Sequence, residues 1–92
     1  MEFDWEADKA AINRRKHGIS FEEASTAFND PLAKLYGDER HSQSEDREVL
    51  IGESEKRRLL IVFFVDRAGR IRIISARRPT SAEKRLYEER QT

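Results

Sequence analysis

Between Leu59 and Glu89 the chain reads LLIVFFVDRAGRIRIISARRPTSAEKRLYEE. Its first seven residues, Leu59 to Val65, are an unbroken apolar run rich in β-branched and aromatic side chains. That run is far too short to cross a bilayer and has the character of a strand buried on both faces. Asp66-Arg67-Ala68-Gly69 supplies the polar, glycine-containing chemistry of a hairpin loop. The return strand, Arg70 to Arg77, alternates: Ile71, Ile73 and Ser75 point one way, Arg72, Ile74 and Ala76 the other. Pro79 stops the strand. Thr80 and Glu83 have the T-x-x-E spacing of a capping box that opens a last helix.

The rest of the chain is read outward from that hairpin. Phe3–Trp5 is an expected edge strand, and residues 6–16 an expected helix with Ala7, Ala11 and Ile12 as its apolar stripe. Acids early and Arg14, Arg15 and Lys16 late match the helix dipole. Gly18 is placed as the left-handed residue after that helix. Ser20 and Glu23 have capping-box spacing for a second helix that presents Phe21, Ala24 and Phe28 on one face, and Asn29-Asp30-Pro31 ends it. Residues 32–36 and 47–52 are expected strands, separated by the polar loop 37–46. The expected order is therefore β-α-α-β-β-β-β-α in one domain, 1–92. It predicts an α+β fold in which an antiparallel sheet of four or five strands carries the two N-terminal helices on one face and the C-terminal helix near its edge.

Composition narrows the function. The chain has 18 basic and 18 acidic residues and a formal net charge of zero. Residues 1–55 nevertheless hold 7 basic and 14 acidic side chains, whereas residues 56–92 hold 11 basic, 9 of them Arg, and 4 acidic. An arginine-rich half is an electrostatic footprint for an anionic polymer, and mutual neutralisation of the two halves is the competing reading. There is no Cys, hence no disulfide framework and no thiolate metal site. No signal-like segment or long apolar run occurs, so a cytoplasmic protein without membrane association is expected.

Few residues suggest acid–base chemistry. His17, just before Gly18, reads first as a partner of free helix carbonyls and only second as catalytic. His41 reads as solvated, and two histidines without a paired carboxylate motif give no metal site. The arginines carry more information. Arg72 sits mid-strand and must reach solvent, a carboxylate or a ligand, because an unpaired buried guanidinium is costly. An open, Arg-lined sheet face suits RNA, and salt bridging to Glu53, Glu55 or Glu88 is the alternative. Alternation puts Arg77 on the side of Ile71 and Ile73, unless the strand bulges near its end.

The segments DWEADKAAINRRKHGISFEEA (4–24), FNDP (28–31) and RRLLIVFFVDRAGRIRIISARRPTSAEKRLYEE (57–89) together resemble the BrnT toxin family. The resemblance implies a RelE-like fold and a ribonuclease toxin of a type II toxin–antitoxin system. It further implies metal-independent cleavage without a cofactor, and neutralisation by a BrnA-type antitoxin through which operator DNA is contacted only indirectly. Within the RelE-like superfamily the last strands and final helix carry the catalysis. Carried onto this chain, that implies Arg67, Arg72 and Arg77 as catalytic cations, with Glu83 and Tyr87 as proton-transfer or positioning groups. Arg70, Arg78, Lys84 and Arg85 are the expected nucleic-acid contacts. Glu83 is the first choice of general base, ahead of His17 and Tyr87. A non-catalytic nucleic-acid- or protein-binding module using the same basic face is the alternative.

Overall fold

The computed structural model describes residues 1–37 and 46–89, so the expectation for His41 falls outside the described residues. The order of elements is β1 (Glu2–Asp4), α1 (Ala7–His17), α2 (Phe21–Thr26) with a 3-10 turn at Ala27–Asn29, β2 (Lys34–Gly37), β3 (Arg47–Glu53), β4 (Leu59–Arg67), β5 (Arg70–Arg77) and α3 (Ser81–Glu88). The five strands of the described residues form one sheet in the order β1-β5-β4-β3-β2. Strands β2 to β5 are the expected antiparallel meander. The short edge strand β1 departs from it and runs parallel to β5, pairing Phe3 with Ile71. The arrangement is the expected α+β one: helices at the N-terminus, a five-stranded sheet and a final helix.

Apolar burial fixes the first face. Leu50, Leu60, Val62, Phe64, Ile71, Ile73 and Ala76 from the sheet close on Ile19, Phe21, Ala24 and Ala27. Phe28 bridges β1 to β4, with its ring 5.1 Å from Phe3 and 4.9 Å from Phe64, both edge-on. The β4–β5 turn has positive φ at Ala68 and Gly69, the handedness that lets a two-residue turn follow the strand twist.

Helix α1 is held differently from the sequence expectation. Its supposed apolar stripe faces water, with Ile12 52% exposed, and its one buried residue is Asn13. The Asn13 side chain accepts from Ala76 N–H at 3.0 Å and donates to Ala76 C=O at 2.9 Å and Ile19 C=O at 3.0 Å. β1 pairs only with residues 70–72, so the outer edge of β5 at Ala76 has no strand beside it. The Asn13 amide satisfies that edge in place of a strand, and polar pairing rather than an apolar stripe docks the helix.

The second capping box is half formed. Ser20 Oγ accepts from Glu23 N–H at 3.0 Å, but the Glu23 carboxylate does not return to Ser20. It lies 1% exposed and takes Arg58 Nε and Nη2 at 2.8 and 2.6 Å, together with Ser54 Oγ–H at 2.6 Å. Its pKa is lowered, chiefly by the Arg58 hydrogen bond, against the opposing effect of burial. The capping box of α3, in contrast, is complete in both directions.

The second face of the sheet has three rows. Lys34, Ile51, Ile61 and Arg77 form one; Tyr36, Val49, Phe63 and Ser75 the next; Arg47, Val65 and Arg72 the third. Helix α3 does not sit at the edge, as expected. It crosses the first row, from the Arg77–Glu83 pair on β5 to β2, where Lys34 Nζ donates to the carbonyls of Leu86 and Glu89. Ile51 and Ile61 are buried beneath it. The rows nearer the hairpin lie beyond α3.

Candidate active site

Strict alternation along β5 fails at one place, and the site depends on it. Phe63 pairs with Ser75 while its neighbour Phe64 pairs with Ile73, so Ile74 is an extra residue, a β-bulge. Past the bulge the phase inverts. Ala76 joins Ile71 and Ile73 in the core, and Arg77 comes out on the second face with Arg72. The core-side placement that alternation gave Arg77 is thereby corrected.

Arg77 lies 32% exposed, with its guanidinium carbon 5.5 Å from the centre of the Phe63 ring. Its Nη1 and Nη2 donate to the two Glu83 oxygens at 2.8 Å each, and Nη1 also donates to Arg78 C=O at 3.1 Å. A guanidinium has five N–H donors. Glu83 takes the end of the fork, and the Nε/Nη2 edge keeps two N–H groups that no protein group among the described residues engages. Glu83 also accepts from Thr80 N–H at 2.9 Å. The Arg77 hydrogen bond is the main reason its pKa falls from 4.5 to about 2. Arg77 in turn is raised, first by the Glu83 hydrogen bond.

A groove of about 440 Å³ runs beside Arg77 between α1 and the second face. Lys9, Lys16 and His17 from α1 and Phe63, Ser75 and Arg77 from the sheet line it, together with Asn13 and the apolar Ile12 and Ile74. Asn13 creates it, since pinning α1 to Ala76 sets the last helical turn next to the residue that precedes Arg77. Three cations, one imidazole and an aromatic floor face one trough. That combination can neutralise phosphate, stack a base and move a proton.

The other sequence candidates are distributed elsewhere. Arg72 is about two rows from Arg77, roughly 13 Å along the strand. It lies 3.2 Å from Asp4 through Nε and lines a smaller hollow with Arg67 and Lys9. Arg70 pairs with Glu2 at 2.8 Å and Asp4 at 3.6 Å. Tyr87 Oη–H donates to Asp30 Oδ2 at 2.6 Å, and burial followed by that bond raises its pKa. Asp30 also receives Leu32 N–H and Glu53 N–H; burial raises its pKa, but these bonds and Tyr87 outweigh that and lower it. Arg78 and Lys84 line a separate cleft beside α3, and Arg85 is exposed on that helix. Arg77 and Glu83 are thus together, whereas Arg67, Arg72 and Tyr87 lie away from them. Lys9, Lys16 and Phe63 were not singled out from sequence. A Lys-x-x-x-x-x-x-Lys-His spacing in α1, two turns long, was the available signal. Among the described residues no three His, Asp or Glu side chains converge as a metal cluster, and no helix is long and apolar enough to cross a membrane.

Fold and groove together define a small α+β protein with its main core on one sheet face and, on the other, a crossing C-terminal helix beside a cationic, aromatic-floored trough. The profile of the family described as ribonuclease toxin, BrnT, of type II toxin–antitoxin systems matches residues 5–83. The chain belongs to that family. The crystal structure of the Brucella abortus ribonuclease toxin BrnT is similar in fold, with a TM-score of 0.66 and 23% identity over 88% of this chain and 99% of that one. No curated protein sequence matches the chain significantly.

Proposed function

We propose that the chain is a cytoplasmic, metal-independent endoribonuclease toxin that cuts RNA in the groove between α1 and the second sheet face and is neutralised by a BrnA-type antitoxin. The observation that carries this reading is Arg77: fixed by Glu83, steadied over Phe63, with its Nε/Nη2 edge uncommitted among the described residues, and lining a groove that His17 also lines. An RNA phosphate against that edge accepts two charge-assisted hydrogen bonds. His17 takes the proton of the adjacent ribose 2′-hydroxyl, whose oxygen attacks the phosphorus. The P–O5′ bond breaks, the leaving 5′-oxygen takes a proton from water, and the products are a 2′,3′-cyclic phosphate and a 5′-hydroxyl end, while Arg77 neutralises the charge that builds on the non-bridging oxygens. Lys9 and Lys16 hold flanking phosphates, and Phe63 stacks a base.

This assignment moves the base from Glu83 to His17. A carboxylate held near a pKa of about 2 by Arg77 is a weak proton acceptor, and Glu83 acts here as the clamp that orients Arg77. Tyr87, bound to Asp30, anchors α3. With Glu83 and Tyr87 both committed to structural bonds, the catalytic reading has one candidate base left, and that scarcity is what makes a non-catalytic RNA-binding module the second reading. Controlled expression of the chain alone separates the two. Growth arrest with RNA fragmentation, abolished by His17→Gln, is expected; arrest without fragmentation supports the binding module.

A further inference from the structure

A second cleft, of about 560 Å³, opens between the β3–β4 turn and α3. Arg57, Arg78 and Lys84 line it, with Glu53 and Glu88 on the same walls. Arg58 reaches it too, but its charge is committed to the buried Glu23. Arg57, Arg78 and Lys84 make no ion pair among the described residues, although two carboxylates share the cleft with them. Arg57 has φ 65°, left-handed backbone that a side chain seldom adopts. The cleft also contains Tyr87, whose hydroxyl is tied to Asp30. Uncommitted cations beside an aromatic side chain held in place are what a single-stranded backbone meets in proteins that track it. The link to the first groove is covalent: Arg77 faces one and Arg78 lines the other, one residue apart at the end of β5.

We propose that this cleft is a second nucleic-acid subsite in which Arg57, Arg78 and Lys84 hold backbone phosphates of the nucleotides flanking the one cut at Arg77. The proposal rests on the nuclease reading for the word "cut" and on nothing but phosphate chemistry for the binding. An RNA strand passing from the first groove around the end of β5 reaches the second without crossing the acidic edge formed by Glu2 and Asp4. The subsite reads phosphates, so it favours long substrates over short ones and does not choose bases.

The test is the double variant Arg57→Gln/Lys84→Gln, with Lys84→Gln alone as the substitute should the double change lower the urea midpoint. With a single-stranded 12-mer RNA, KM is expected to rise about tenfold at moderate salt while kcat holds, and the 12-mer to dinucleotide ratio of kcat/KM to fall by the same factor. An equal effect on both substrates, or none on the 12-mer, overturns the subsite. Binding of a 2′-deoxy 12-mer, which lacks the attacking hydroxyl, gives a readout that survives failure of the nuclease reading. Losing two phosphate contacts should flatten its log K against log salt slope by about 1.4. An unchanged slope overturns the proposal. So does a variant that keeps the oligonucleotide but loses a polyglutamate peptide, since the cleft would then serve an acidic protein segment.

Discussion

Arg77 has two neighbours that compete for its meaning, Glu83 and the open groove, and substitution separates them. Arg77→Ala is expected to lower kcat about a hundredfold, equivalent to about 3 kcal/mol of transition-state stabilisation. It should also cost about 1–2 kcal/mol of stability, because a half-buried bidentate pair with a capping carboxylate is lost. Arg77→Lys keeps the charge but not the fork, and should recover less than half of the loss in log kcat. Tyr87→Phe is expected to behave the opposite way. It leaves Asp30 short of one strong donor and should lower stability by about 1–2 kcal/mol, with the urea midpoint moving far more than the cleavage rate. Equal losses of rate and stability in both variants would show that the groove and the α3 anchor are one unit.

At the scale of elements, α3 is sensitive to acid through Glu83. A carboxylate depressed in the folded state contributes stability that is complete above its unfolded pKa, near 4.5, and lost as the pH falls towards about 2. Urea midpoints measured from pH 6 down to pH 2.5 should therefore fall less steeply for Arg77→Ala than for the parent chain; parallel curves would contradict the Arg77–Glu83 linkage. Helix α1 depends on Asn13, and Asn13→Ala strands the peptide groups of Ala76 at a buried edge, for an expected loss of about 3 kcal/mol by chemical denaturation. The sequence disclosed the β4–β5 hairpin and the capping box of α3 because both are local: an apolar run, a glycine turn and a T-x-x-E spacing. It concealed the docking of α1, since Asn13 pairs with a residue 63 positions away and has no apolar periodicity to reveal it. It likewise concealed that Glu23 leaves Ser20 for Arg58, 35 positions on. The bulge at Ile74 has no local signature in RIRIISAR, and without it Arg77 and the whole candidate groove fall on the wrong face.

Across the whole molecule the charge asymmetry resolves into two parts. Some of the arginines are neutralised by the acidic half: Arg58 by Glu23, Arg70 by Glu2 and Arg72 by Asp4. The neutralisation reading is therefore right for those three. Lys16 makes no ion pair among the described residues and Lys9 only a long, exposed one of 3.8 Å with Glu6, and both line the groove with Arg77 rather than scatter over the surface. The central claim is that this groove cleaves RNA through Arg77 and His17 by 2′-hydroxyl attack. The most direct measurement is the chemistry of the product ends, made with purified chain and a defined RNA in excess EDTA, for the parent and for His17→Gln. The account predicts 2′,3′-cyclic phosphate and 5′-hydroxyl ends from the parent and a rate reduced about a hundredfold in the variant. Ends bearing 5′-phosphate, cleavage abolished by EDTA, or a His17→Gln chain as active as the parent would contradict it.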